Sequence, residues 1–424
     1  MSDAPASTDP ATARRRRWPW ALAAVALLLA FSYWATRPAR VSTVVLSRVE
    51  AALGLEITAA GASEYRLRNE PTLVLRDVVV RQPGAETPLL RAERILLSLP
   101  WSTLRAAGAE LVVRRVELDA PQLDLSAYQA WQATRPPAPP RLPTLTDGLA
   151  VSDGRIGGGS WSIDGVDIDV PSFHPDRAVA GKVSGRYRTA RLAVPFTLQA
   201  ALTRPARGAG LGLSGGIEVQ ADTWRLPMAA TASGRLHEGD DGLGLDGLRY
   251  AADARYVGGE VDEAFALGIA GRLRYREGRL TLDPLGVAVD GHTLIPELDA
   301  GGRLSLDDAL ALQLEGTLAR WPATWPALPE PLASSDSPLP IALRYRGAPD
   351  LSGDTGLQLE RDGARFDGGF RLPEVLAWLQ VRDTDTPLPP LRGRLEARRL
   401  EIAGAQMHGV VVEFEDEPSP ADIQ

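Results

Sequence analysis

The chain has 424 residues, 44% hydrophobic and 24% charged, with no cysteine and a net charge of −8, a balance that excludes wholesale disorder and a disulfide scaffold. Its one basic block, Arg14-Arg15-Arg16-Arg17, stands near the amino terminus and acidic charge is spread along the rest, which excludes a basic nucleic-acid surface. Lys182 is the sole lysine, and the wealth of Arg, Ala, Gly and Pro reads as the codon bias of a GC-rich genome.

Residues 1–13 are polar and proline-containing and read as a cytoplasmic tail. Residues 14–40 follow as an anchor. Nineteen uncharged residues run from Trp18 to Thr36, which as a helix reach roughly 28 Å, the thickness of a bilayer's hydrocarbon core. Trp18, Trp20, Tyr33 and Trp34 mark its two ends, where amphipathic rings sit at headgroup level, and Pro19 occupies the first turn. The four arginines hold the amino terminus in the cytoplasm, so the rest of the chain is expected on the far side. A cleaved signal peptide shares the basic-then-apolar pattern. Here, however, the small-x-small candidate Ala30-Phe31-Ser32 runs straight into bulky Tyr33 and Trp34, so retention is expected.

Val41, Val44, Val45, Val49 and Leu53 fall at helical spacing before Gly54 and predict a short amphipathic helix. From Leu55 the period becomes two: Val116 and Leu118 alternate with Glu117 and Asp119, Leu123 and Leu125 flank Asp124, and Val166, Ile168 and Val170 alternate with Asp167 and Asp169. The same alternation returns at Leu280 and Leu282, at Val287 and Val289, and at Leu310, Leu312 and Leu314. Turn signals at Pro83-Gly84, Asp153-Gly154, Gly157-Gly158-Gly159, Asp246-Gly247, Gly258-Gly259, Asp290-Gly291, Gly301-Gly302 and Asp362-Gly363 punctuate it with the spacing of an antiparallel meander. Only residues 100–108 and 373–380 look helical in this part, each opened by a proline. Proline-rich stretches at 134–143, 322–340 and 387–390 predict loops, and separate segments 41–133, 144–321 and 341–416 before a tail at 417–424.

The titratable residues suggest no reaction. His174, His237, His292 and His408 are isolated, and without cysteine or a His-Glu-x-x-His run there is no zinc pattern, so neither metal nor cofactor is expected. Asp164, Asp167 and Asp169 form the densest acidic group, yet two of them alternate with Val and Ile, as the wet face of a strand does. Residues 208–216 are glycine-rich but spell no phosphate-binding loop, and read as a flexible turn or bulge. With no Gly-x-Ser-x-Gly elbow either, a non-enzymatic role is expected.

Three successive stretches carry a resemblance: 73–80 (LVLRDVVV), 89–99 (LLRAERILLSL) and 116–125 (VELDAPQLDL). With the anchor before them and a strand-rich body after, the chain resembles the AsmA-like family of the bacterial envelope, relatives of TamB. The likeness covers roughly 70 residues well. One departure is Tyr128-Gln-Ala-Trp131, where many relatives carry a Gly and an Asn-Trp pair. The resemblance implies a single-pass inner-membrane protein whose large C-terminal part lies in the periplasm. There it would form an elongated, curled antiparallel sheet with an apolar groove for lipids, and no catalytic residues. Too few helices are predicted to cover so many half-apolar strands, which agrees with a groove, although a two-sheet sandwich satisfies the same pattern. The expected lipid stripe comprises Val116, Leu118, Leu123, Leu125, Leu280, Leu282, Leu310, Leu312 and Leu314. Membrane lipids are the expected partners, with envelope proteins at the C-terminal end a further class and nucleic acid excluded. A non-enzymatic scaffold for outer-membrane assembly is the alternative.

Overall fold

Alternation of apolar and polar residues becomes hydrogen-bonded strand almost everywhere after Leu55. The computed structural model describes residues 54–60, 64–66, 71–101, 112–134, 143–322, 324–325, 328, 332, 337–380, 390–402 and 405–414. The expected anchor, with Arg14, Arg15, Arg16, Arg17, Trp18, Trp20, Tyr33 and Trp34, lies outside these, as do the helix expected over 41–53 and most of that over 100–108. Among the described residues no helix is long and apolar enough to cross a membrane.

The amino-terminal strands are β1 (Glu56–Ala59), β2 (Glu64–Arg66), β3 (Thr72–Arg81), β4 (Leu90–Ser98), β5 (Val112–Val113), β6 (Arg115–Asp119) and β7 (Gln122–Asp124). Helix α1 (Leu125–Ala133) and β8 (Thr144–Leu145) follow. The body then comprises β9 (Leu149–Gly157), β10 (Ser162–Val170), β11 (Val179–Arg188), β12 (Ala193–Leu202), β13 (Gly210–Gln220), β14 (Trp224–Gly239), β15 (Gly242–Gly258), β16 (Val261–Arg276), β17 (Arg279–Asp290), β18 (Leu298–Leu306) and β19 (Leu310–Leu318). It closes with β20 (Leu339–Gly347), β21 (Asp354–Arg361), β22 (Ala364–Arg371), helix α2 (Leu372–Gln380), β23 (Leu391–Ile402) and β24 (Ala405–Phe414).

All strands but β5 and β8 belong to one 22-stranded sheet. Its amino-terminal end contains two broken strands, since β1 and β2 both pair with β3, and β6 and β7 both pair with β4. From β9 onward each strand lies antiparallel to the one before it. The expectation of a wholly antiparallel sheet fails at one step, where β6 and β7 run parallel to β9. A parallel step needs a crossover of a dozen residues or more, and the chain between Leu125 and Gly148 supplies it. Part of that crossover is α1, whose first residue, Leu125, periodicity assigned to a strand. Asp124 ends β7 and is at the same time the helix cap: its carboxylate accepts a 2.8 Å bond from the Ala127 amide, and Leu125 opens the helix.

The proline-rich stretches do not divide the sheet, because β19 pairs directly with β20 and β22 with β23 across them. Several expected turns are absorbed into strands. Asp246-Gly247 lies within β15 and Gly301-Gly302 within β18, while residues 210–216 of the glycine-rich run form most of β13. The positive φ of Gly247, 60°, serves a bulge there instead of a hairpin, since both need the left-handed region that glycine enters freely.

Two bulges, one in β15 between Leu245 and Leu248 and one in β17 between Leu282 and Leu285, lie in register and shift the pairing against both neighbours of each strand. Each bends its strand and adds twist, so together they crease the sheet across β14 to β18. The result is visible in an ion pair between Arg191, on the β11–β12 hairpin, and Asp350, in the β20–β21 loop. About nine strand spacings separate the two, roughly 43 Å along a flat sheet, so the sheet must coil back on itself for them to meet. A twist of some 20° to 25° per strand turns the ribbon by about half a revolution over that distance, bringing opposite edges together.

Buried residues gather into clusters at the two ends, while between them single positions such as Ala230, Ala252, Leu282 and Leu285 are buried. Leu55, Leu73, Leu75, Val78, Val80 and Leu89 pack with Ala127, Tyr128 and Trp131 of α1. At the other end Leu318, Leu339, Leu359, Ala364, Phe366, Leu395 and Ala397 pack with Leu332 of the β19–β20 connection.

Candidate functional site: an apolar inner face

Residues paired across a ladder share a face, so register alone traces the apolar side of the sheet from strand to strand. One line runs Val183, Leu198, Gly215, Ala230, Ala252, Leu267, Val289 and Leu298. Its neighbour runs Ala200, Leu213, Ala232, Tyr250, Ile269, Val287 and Ala300. Small residues form much of the floor of the first line, and larger ones flank it. Between Leu149 of β9 and Leu306 of β18 this face carries apolar residues or glycine, apart from Glu263 and, at the far end of β14, Glu238. Most of these side chains are half-buried, while their polar neighbours on the other face are exposed.

Among the described residues the only other sheet is the two-stranded β5–β8 pairing, so no second sheet covers this face. Aromatic pairs stand along one edge of it, Trp161 with Tyr187 at 5.8 Å and Trp224 with Tyr256 at 6.2 Å between ring centres. At the opposite edge Leu243, 57% exposed, and Tyr275, 39% exposed, face each other across β15 and β16 and form an open apolar lip.

Eight of the nine stripe residues expected from sequence lie on this one face: Val116, Leu118, Leu123, Leu280, Leu282, Leu310, Leu312 and Leu314. Leu125 does not join them, being in α1. The sequence reading passed over the middle of the stripe, where β11 to β16 use alanine and glycine in alternation with Thr, Ser and Arg. The regular alternation was the available signal, muted because alanine and glycine are weakly hydrophobic.

Charges gather on the outer face and pair with one another. Arg94 donates to Asp119 and Glu117 at 2.6 and 3.0 Å, and Arg255 grips Asp262 through two bonds. At the β14–β15 hairpin His237 contacts Asp241 at 2.5 Å, and Arg274 donates to both Asp241 and Asp246, whose carboxyls it holds below the ordinary range. Asp167 and Asp169 are exposed on β10, as expected of a strand's wet face. No group of three or more metal-ligating side chains occurs among the described residues.

Glu263 differs from all of these. It is buried on the inner face and its carboxylate accepts bonds from the backbone amides of His292, Thr293, Leu294 and Ile295, the closest at 2.6 Å. Burial alone raises a carboxyl's pKa, but here the four amides outweigh it and hold Glu263 below its usual value. Its chemistry is structural, since it ties the β17–β18 connection to the edge of the inner face.

No protein-family profile, no curated protein and no solved structure matches this chain.

Proposed function

We propose that this protein is an AsmA-like, inner-membrane-anchored periplasmic protein that binds phospholipid-type acyl chains along its sheet and helps move them in envelope biogenesis. The observation that carries the proposal is the apolar face from β9 to β18, most of its side chains half-buried and, among the described residues, without a covering sheet. Water bears on so much apolar surface at a cost, and acyl chains relieve it at about 0.8 kcal/mol for each methylene buried. Such binding is non-directional. Neighbouring positions along the line are nearly equal in energy, so a bound chain slides without any one essential residue. The basic block before the apolar span and the likeness of 73–125 to the family support the location.

The test is lipid extraction from full-length protein transferred from membranes into an amphipathic polymer. Phospholipid in fixed proportion to protein, lost when Ile269 becomes aspartate, is the expected result. Equal lipid in both proteins leaves only what the anchor carries, and favours the scaffold reading in which the sheet touches no lipid.

A further inference from the structure

The apolar line does not stop where the open face ends. Leu298 pairs with Leu318, and Leu318 with Leu339, continuing the register that passes through Leu267 and Val289. What changes is the cover. Leu318 and Leu339 are each 1% exposed, in one buried cluster with Leu359, Phe366 and Leu332 of the β19–β20 connection, and Trp321 and Leu328 of the same connection pack against that cluster.

This connection is held at both legs by polar contacts. On one side the Trp325 indole N–H donates to the Leu294 carbonyl at 2.8 Å and the Thr324 hydroxyl to the Thr293 carbonyl at 2.8 Å. Residues 292–295 are in turn fastened to Glu263. On the other side Arg361, at the inner-face end of β21, donates to the carbonyls of Leu332, at 2.9 Å, and Ser337. Two charged side chains on the inner face thus serve the two legs of one strap, Glu263 by way of residues 292–295 and Arg361 directly.

We propose that the face of β19 to β22 under this strap is a second acyl-binding stretch, at present occupied by Trp321, Leu328 and Leu332 in place of an acyl chain. The inference rests on the lipid reading above. It follows from continuity of register and from the side chains that Trp321, Leu328 and Leu332 bring to this face, which are apolar as an acyl chain is. Displacement of the strap joins the masked stretch to the open one, so a lipid reaches the strands beyond β19 only by exchanging with it.

The experiment places p-azidophenylalanine at Tyr250, on the open face, or at Phe366, under the strap, in the full-length protein. The protein is reconstituted in vesicles of palmitoyl-oleoyl phosphatidylethanolamine and phosphatidylglycerol, and adducts are read by mass spectrometry after illumination. The probe at 250 is expected to capture phospholipid, and the probe at 366 to capture the strap. In the double variant Leu328→Ser and Leu332→Ser, lipid capture at 366 should rise by more than about tenfold, the factor matched by losing even one leucine-sized contact. Capture at 250 should stay as it was. Equal lipid capture at both positions in the parent overturns the masking, and so does a double variant that still captures lipid at 250 but gains none at 366. If the double variant loses capture at 250, Arg361→Gln, which frees one leg alone, takes its place under the same criteria. Absence of lipid at 250 in the parent refutes the lipid reading itself.

Discussion

Replacing Ile269 by aspartate distinguishes an open apolar face from a closed core. Ile269 lies on β16 between Tyr250 and Val287 in the ladder and is half-buried. Full burial of such a side chain contributes about 1.5 to 3 kcal/mol, so losing a half-buried one costs on the order of 1 kcal/mol. The new carboxylate adds little if water reaches it along the open face. In a dry core the same carboxylate is unpaired and buried, which costs a further 3 to 5 kcal/mol or so. For a chain of this size about 1 kcal/mol lowers the melting temperature by roughly 2 to 4 °C, whereas a dry core predicts a loss on the order of 10 °C. Tryptophan fluorescence during heating measures the first quantity and lipid extraction the second. The expected variant melts within a few degrees of the parent and has lost its lipid. A collapse of the melting transition refutes the open face, and a stable variant with undiminished lipid refutes the groove.

Three further outcomes are expected. Glu263 is held below its ordinary value of 4.5, so the stability it contributes is complete above that value and lost as pH falls through the depressed one. Acid unfolding of the parent should show this step and Glu263→Gln should lack it, while the same acid midpoint in both would remove Glu263 from the account. Arg191→Glu should open the coil and lengthen the maximum dimension seen by X-ray scattering, with the partner change Asp350→Arg restoring it; a profile unchanged by the single variant contradicts the closing role of the pair. A periplasm-dependent reporter fused after Leu125 should be active and a cytoplasmic one silent, and the reverse pattern inverts the topology read from Arg14 to Arg17.

Period-two alternation carried the strands, and parity within each strand carried the face, so Val116 and Leu314 were assigned to one stripe with nearly two hundred residues between them. The terminal helix was legible because Pro373 opens it and Leu372–Gln380 follows with helical spacing. Helix α1 was not. Leu123 and Leu125 flank Asp124 as strand neighbours do, and only the reach of the Asp124 carboxylate back to the Ala127 amide tells a cap from a strand. Asp246-Gly247 misled for a similar reason, because a positive φ serves a hairpin and a bulge equally and the choice depends on whether the strands on either side continue.

The sequence by itself determined that one side of a long run of strands is apolar, because that property is local: side chains alternate across any strand, and each strand declares its own two faces. Tertiary structure alone decided how the faces line up and what covers them. The register from Val183 to Leu339, the crease of bulges across β14 to β18, the meeting of Arg191 with Asp350 and the gathering of Leu332 into one cluster with Leu318 all join residues from different strands or far along the chain. Such contacts depend on twist and curvature accumulated over many strands, each adding a rotation too small to be written in any one stretch of residues.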